Sequence, residues 1–383
     1  MLVGIDLRCL QDNWRTGVGE YAWQTIKHLS RLDTKFDLLG YANARGQINL
    51  PIGLADLVKV ERQTTPNKLK NLSFYLGWEK IENSLKKAGQ KPDVLWLPNP
   101  MFVNWSNQQR TVLTIHDLSF VHYKKFFPRR GQLWYFPMVR KLLNNLSHNT
   151  KVAAVSAYTA DDLLEQYPSL KGRVEVVYPG VEEIYQTIQP SETIKSVLAK
   201  YNLSRPYFLT LGTIEPRKNH SLLLDVYANL LKKNPDYPYD LVIAGVWGWR
   251  TKQFANKLKQ LSLGRRLKIL GYIPAQDKPI LYQAAKLFLY PSFYEGFGMP
   301  VLEAMASGLP VLASQTSSLP EVVGESGLLL NPNNPRPWLS AIEELLKDNN
   351  LYSNFSQQGR LTAAGFTWSK TAEAYATLFK ESK

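Results

Sequence analysis

The sequence is poor in three things, and each shortage narrows what the chain can be. Cys9 is its one cysteine, so no disulfide can form within the chain and no cysteine cluster can hold a metal; a small buried apolar role suits it. No stretch reaches the roughly 18 continuous apolar residues that a membrane span requires. Residues 1–8 carry charges where a signal peptide would be apolar, so the chain is expected in the cytoplasm. Carboxylates are scarce as well: 32 Asp and Glu face 46 Lys and Arg, a net charge of +14. That excess points to an anionic partner, with nucleic acid, acidic lipid and phosphorylated ligand as the choices.

What is present reads as α/β. With 44% hydrophobic and 20% charged residues the chain is globular, and 383 residues suffice for two to three domains, each with its own core. Residues 2–7 read as a first strand, 11–19 as a loop and 20–29 as a helix. Further strands are expected at 36–41, 93–97, 111–115, 152–156 and 174–178, with a helix at 157–167. The polar run 182–192 reads as an interdomain linker. A second series then starts, with strands at 207–212, 241–245, 268–273 and 287–290, a helix at 220–231, and strands or turns at 311–314, 321–324 and 327–330. The segment 368–380 has the pattern of an amphipathic helix.

The stretch 287–310 gathers the clearest signals. A strand-like run, Leu287 to Tyr290, leads into a loop with Gly296 and Gly298, where backbone amides can approach a ligand closely. Pro300 suits the first turn of a helix that Gly308 and Pro310 end. The start of that helix, Gly298 to Val301, would favour a phosphate through its amides and dipole. Glu295 in the loop and Glu303 one turn into the helix are offset along any ligand lying there. A bare pair of glutamates at this spacing is far more often a solvated loop and helix surface; the surrounding run changes the odds.

The run from Glu295-Gly296-Phe297-Gly298-Met299-Pro300 through Glu303 to Gly308 resembles the signature of the family-four retaining glycosyltransferases, which have the GT-B fold. The resemblance implies two Rossmann-like domains facing a cleft: residues 1–185 on the acceptor side, joined by a returning helix at 366–383, and residues 186–365 binding a nucleotide sugar. It implies that Glu295 contacts donor-sugar hydroxyls and Glu303 the ribose. The amides between them, with Gly296, Phe297, Gly298, Met299, Val301 and Leu302, would hold sugar and diphosphate.

Other segments extend the likeness. Glu215-Pro216-Arg217-Lys218-Asn219 resembles the family's phosphate-binding segment, which assigns Lys218 to the diphosphate. Many members carry an arginine where Thr213 stands, and Arg217 is the side chain to replace it; both cations can make charge-assisted hydrogen bonds. By the same resemblance, Gly271, Tyr272 and Ile273 contact the base, and Gly19 in the Gly17-Val18-Gly19 turn contacts the diphosphate. His116, with Asp117 as a weaker companion, matches the histidine that faces donor sugar and acceptor. His116-Asp117 also ends a strand, where open α/β sheets place ligands. A lone histidine is otherwise more often structural.

No Asp-x-Asp pair occurs, so the carboxylates that usually hold a divalent ion in metal-dependent sugar transferases are missing and no metal or other cofactor is expected. Positioned cations can stabilise a leaving diphosphate instead. The Glu-Pro-Arg-Lys-Asn variant resembles mannosyl- and rhamnosyl-type members, which favours a GDP-sugar, GDP-mannose first, over a UDP-sugar. The expected acceptor is a glycan or a lipid-linked glycan.

Between Asp117 and Asp161 there is no carboxylate, while Lys124, Lys125, Arg129, Arg130, Arg140, Lys141 and Lys151 fall there with Phe126, Phe127, Leu133, Trp134, Tyr135, Phe136 and Met138 among them. Such a mixture suits an anionic membrane surface at residues 120–142 as well as a core-facing helix with a solvated basic back. Family likeness favours the membrane, at the inner face of the plasma membrane. Three rival readings compete with this one. A two-carboxylate glycoside hydrolase would use Glu295 and Glu303, but their setting beside a phosphate site argues against it. A nucleotide-sugar epimerase of similar fold would need no acceptor. A nucleic-acid-binding protein rests on charge alone and shows no recognisable module.

Overall fold

A computed structural model describes residues 1–11, 16–45, 48–85, 89–129 and 131–381. Residues 12–15 of the first expected loop and Arg130 of the basic run lie outside the described residues. The chain forms two compact units, Met1–Leu118 with Arg130–Gly180 and Thr367–Lys383, and Ser119–Arg129 with Val181–Phe366. The changes of unit at 180/181 and 366/367 stand beside the expected limits at 185 and 366, and Ser119–Arg129 clusters with the second unit.

Among the described residues the first unit is built on a parallel sheet of seven strands: β1 (Leu2–Asp6), β2 (Asp37–Asn43), β3 (Lys59–Gln63), β4 (Val94–Leu97), β5 (Thr111–Ile115), β6 (Thr150–Ala154) and β7 (Val174–Val176), in the order β3-β2-β1-β4-β5-β6-β7. Every residue of β1, β4 and β5 is buried. Helices cover both faces of a parallel sheet, which is why β4 reads as an unbroken apolar run and β1 and β5 carry no charge before Asp6 at the end of β1. The edge strand β3, Lys-Val-Glu-Arg-Gln, reads as polar, in keeping with charged edges that discourage further pairing. The helix Trp368–Glu381 belongs to this unit and lies against the helix Gly17–Leu29. Tyr375 fixes it: its hydroxyl lies 2.6 Å from Thr114 Oγ1 and 3.1 Å from the Tyr21 hydroxyl. A Cβ at Gly180 would lie 2.1 Å from the Trp368 nitrogen, so only glycine permits this approach.

The second unit has six parallel strands: β8 (Tyr207–Leu211), β9 (Asp240–Ala244), β10 (Leu267–Gly271), β11 (Leu287–Tyr290), β12 (Val311–Ser314) and β13 (Leu328–Leu330), in the order β10-β9-β8-β11-β12-β13. Phe208, Leu241, Ile243, Leu287 and Leu289 of the sheet join Leu223, Tyr227 and Trp338 of the flanking helices in one apolar core. Strand order reverses between β8 and β11, with Leu287 opposite Phe208. The loops leaving these two strands flank the crevice where doubly wound sheets bind ligands. They carry residues 212–219 and 291–298. The first sheet reverses between β1 and β4. Segment 321–324, expected as strand or turn, is mostly the helix Leu319–Val323, which Pro320 starts. The expected linker 182–192 contains a 3₁₀ turn, Glu183–Tyr185, and the start of the helix Ser191–Lys200. Among the described residues no helix is long and apolar enough to cross a membrane.

Candidate active site

In the second unit the glycine loop after β11 ends in the helix Met299–Ala306, whose N-cap, Gly298, has φ +104°. A side chain there would be strained, and its Cβ would meet Leu319 Cδ2 at 2.7 Å. The amides of Val301 and Leu302 donate to the Gly298 carbonyl at 2.9 and 3.3 Å, so both are engaged inside the first turn. Leu302 is buried in the unit, and Phe297 lies edge-on to Phe366. Gly296 is buried and Met299 half-buried.

Glu295 is buried between the two loops. Lys218 Nζ donates to its Oε1 at 2.7 Å and Arg217 Nη1 to its Oε2 at 3.1 Å. Burial alone would raise this carboxyl; Lys218 and Arg217 outweigh burial and lower it to about 2. Its backbone is held on both sides, N–H to Ser317 Oγ at 2.8 Å and C=O from Ser318 Oγ at 3.0 Å. Ser317 takes φ +52°, a left-handed conformation that serine rarely adopts.

The cations are themselves held. Lys218 Nζ donates to the Tyr290 hydroxyl at 2.7 Å and lies 5.1 Å from the centre of that ring; burial lowers its pKa and Glu295 opposes the fall. Arg217 Nε donates to Glu215 Oε1 at 3.1 Å and Nη1 to the Tyr294 carbonyl at 2.8 Å. Burial raises the Glu215 carboxyl, against the pull of Arg217. Asn219 adopts φ +55° and its side chain donates to the carbonyls of Pro291 and Pro332, while the Phe293 amide donates to the Arg217 carbonyl at 2.9 Å. The two loops are thus laced together by one backbone bond and by side chains that donate to backbone carbonyls, and the charged side chains meet inside that frame. His220, next in sequence, is buried with its pKa lowered to about 3 by burial and by Lys218, so it is neutral.

Glu303 is buried one turn into the helix and accepts from the Tyr282 hydroxyl at 2.8 Å. Gly271, Tyr272 and Ile273 stand at the end of β10, two strands from β8; Gly271 has φ +71° and Ile273 is buried. Arg217, Lys218 and Glu295 are therefore brought within hydrogen-bond distance of one another. Glu303 and residues 271–273 occupy other positions of the same unit. Glu215, Tyr290, Tyr282, Ser317 and Ser318 support the named residues, and no motif gives any of them a role of its own. Glu215 and Tyr290 are marked by position, at the start of the Glu215 to Asn219 segment and at the end of its strand.

The first unit holds the remaining named residues, Gly19, His116 and Asp117. His116 follows the last residue of β5, and its Nε2 lies 2.7 Å from the Pro98 carbonyl, just past the end of β4. The Tyr21 ring meets it edge-on at 5.2 Å. Burial lowers its pKa, which the Pro98 carbonyl and Asp117 partly offset. The Gly19 amide donates to Thr16 Oγ1 at 3.2 Å as part of the cap of Gly17–Leu29. Among the described residues no group of three or more His, Cys, Asp or Glu is placed to hold a metal ion.

Two family models divide the chain between them. Residues 15–183 match Glycosyltransferase Family 4 and residues 192–362 match Glycosyl transferases group 1. O-antigen chain mannosyltransferase B of Escherichia coli is 34% identical over 275 residues, covering 70% of this chain and 71% of its own. The chain belongs to this glycosyltransferase family. A second relative of the glycosyltransferase, serotype-specific mannosyltransferase WbdA of Escherichia coli, is 30% identical over 224 residues, covering 58% of this chain and 27% of its own. Among solved structures, sucrose-phosphate synthase from Thermosynechococcus elongatus is similar with a TM-score of 0.76 at 19% identity, covering 99% of this chain and 98% of its own. WaaG, a glycosyltransferase involved in lipopolysaccharide biosynthesis, gives 0.75 at 15% identity, covering 99% and 100%. These likenesses show the fold, which is GT-B.

Proposed function

We propose that this glycosyltransferase moves mannose from GDP-mannose to a hydroxyl of a glycan or lipid-linked glycan, in polysaccharide assembly, with retention of anomeric configuration and without a metal. The observation that carries the reading is the buried network of Arg217, Lys218 and Glu295 at the reversal of strand order. In the transfer, the bond between the anomeric carbon and the β-phosphate oxygen breaks, the acceptor oxygen bonds to that carbon, and the acceptor proton leaves with the products. The charge to be stabilised develops on the departing diphosphate, and fixed cations in a water-poor site do this without reorganising.

The network also implies an exchange of partners. Arg217 and Lys218 are neutralised by Glu215 and Glu295, and a diphosphate competes with Glu295 for the same N–H groups. Glu295, once displaced, is the carboxylate available to the sugar hydroxyls. Mannose is supported by the two mannosyltransferase relatives and GDP by the Glu215 to Asn219 variant. A UDP-hexose is the second reading, favoured by the similar Anabaena HepE structure in complex with UDP and glucose, a likeness of fold at 16% identity. A thermal-shift panel of nucleotide sugars separates them, because a ligand that binds the folded form raises its melting temperature. GDP-mannose should give the largest shift. Stabilisation by UDP-sugars alone rejects the base and the sugar together, and activity lost to EDTA and restored by magnesium or manganese rejects metal independence.

A further inference from the structure

The first unit exposes an apolar surface, one part of which lies where the sequence does not advertise it. The helix Asn67–Tyr75 is turned inside out: the residues it buries are Lys70 and Phe74, and Lys70 is 3% exposed. Lys70 can be inside because Nζ bonds Glu79 Oε1 at 2.5 Å and the side chain of Gln63. The opposite face carries Leu69, Leu72, Tyr75 and Leu76 to the outside, and Trp78 follows at 77% exposed. Spacings of three and four residues put these side chains on one stripe. Scattered apolar residues are ordinary on a surface, whereas a stripe marks an interaction site.

A second stretch adjoins it. Leu133 and Trp134 are exposed in the turn Gly131–Tyr135, which runs into the helix Phe136–Asn144. Two turns on, Lys141 is exposed on the same face and its Nζ lies 5.6 Å from the centre of the Tyr75 ring, joining the two segments. Of the other aromatic and apolar residues in 120–142, Phe136 and Met138 are buried in the core of the unit, and Phe126 and Phe127 pack on Phe293 and Trp249 of the second unit.

We propose that this surface of the first unit lies on a leaflet of anionic lipid, with Leu72 facing the acyl chains, Trp78 and Trp134 at the boundary between acyl chains and headgroups, and Lys68 and Lys141 at the headgroups. This deepens the reading of a lipid-linked acceptor and rests on it. Charge complementarity selects lipid as the occupant: no Asp or Glu occurs between Glu61 and Glu79, nor between Asp117 and Asp161. Tryptophan, tyrosine and lysine around a leucine stripe match the interfacial layer, where aromatic rings seat at headgroup depth and cations meet anionic lipid.

Sedimentation with vesicles tests this, using phosphatidylcholine alone and phosphatidylcholine with phosphatidylglycerol at low salt. No donor or acceptor is added, so the result does not depend on which sugar is moved. Wild type should bind the anionic vesicles, and Leu72→Gln with Trp78→Gln should lower partitioning at least about tenfold. Lys68→Gln with Lys141→Gln should lower it about fivefold or more. Ile188→Gln, at an apolar side chain 83% exposed in the second unit, should leave it unchanged. Because the altered positions are exposed, melting temperatures and transfer to a water-soluble acceptor should not move. Absence of vesicle binding, or equal binding by the Leu72/Trp78 variant, overturns the proposal. So does a wild-type dimer in sedimentation velocity that this variant dissolves, which would make the stripe a protein interface.

Discussion

The two sheets each place an ion pair beside the point where strand order reverses, and the pairs differ in how they are made. In the first unit Asp6 and Arg8 are two residues apart at the end of β1. Three bonds of 2.6 to 3.1 Å join their side chains, Arg8 also donates to the Phe102 carbonyl, and it lies near the rings of Tyr41 and Phe74. In the second unit Glu295 takes its cations from a loop 77 and 78 residues away in sequence. A pair closed within one turn has no partner to exchange and serves the fold. A pair assembled from two loops can open when another anion enters, without either loop unfolding. In the proposed reading, Asp6–Arg8 serves the fold and Glu295 with Arg217 and Lys218 serves donor chemistry.

The largest effect should come from breaking the closed pair. Arg8→Ala leaves Asp6 buried beside aromatic rings, and losing one partner of a buried pair costs about 3–5 kcal/mol of stability. Denaturant unfolding should show that loss while the folded fraction keeps its affinity for GDP; a selective loss of GDP binding would move Arg8 into the site. Lys218→Ala should act the other way, lowering turnover by about 2–4 kcal/mol in activation free energy through lost leaving-group stabilisation. Unchanged kinetics reject its role.

These contrasts were partly legible in the residues. Strands buried on both faces, such as Val94–Leu97 and Leu287–Tyr290, declare themselves by unbroken apolar runs. The edge strand Lys59–Gln63 and the helix Asn67–Tyr75 do not, because one carries charge at a sheet edge and the other buries a lysine and exposes leucines. Local chemistry at the site was legible too, in Gly298, Pro300 and the Arg217-Lys218 pair. That Glu295 bonds both cations, that Glu215 holds Arg217 and that Ser317 anchors the loop depend on contacts between distant segments, and no spacing announces them.

Smaller effects sharpen the division within the second unit. Glu303→Gln should weaken GDP binding by about 1–2 kcal/mol, since a carboxylate accepts roughly twice as strongly as a neutral amide; calorimetry showing unchanged affinity removes Glu303 from the ribose. The pH dependence of folding gives a further check. His220 is held neutral with its pKa near 3, so between about 3 and its ordinary 6.5 the unfolded chain binds a proton that the folded chain does not. Stability from this group is complete above 6.5 and falls as pH drops towards 3. For Glu295, lowered to about 2 from 4.5, the contribution is complete above 4.5 and lost as pH falls through 2. His220→Phe should flatten the pH 4–6 part of the stability profile; an unaltered slope there would show that His220 is not the group responsible.

The central claim, that Glu295 yields the cations to the donor diphosphate and turns to the sugar, is tested most directly by Glu295→Gln. GDP affinity is measured by calorimetry and initial rates on GDP-mannose are measured with the same preparation. The account predicts that GDP binds as tightly as to wild type or tighter, because a competing carboxylate is gone, while transfer falls by about two orders of magnitude. Loss of GDP affinity equal to that of Glu303→Gln, or a transfer rate that stays at the wild-type level, would contradict it.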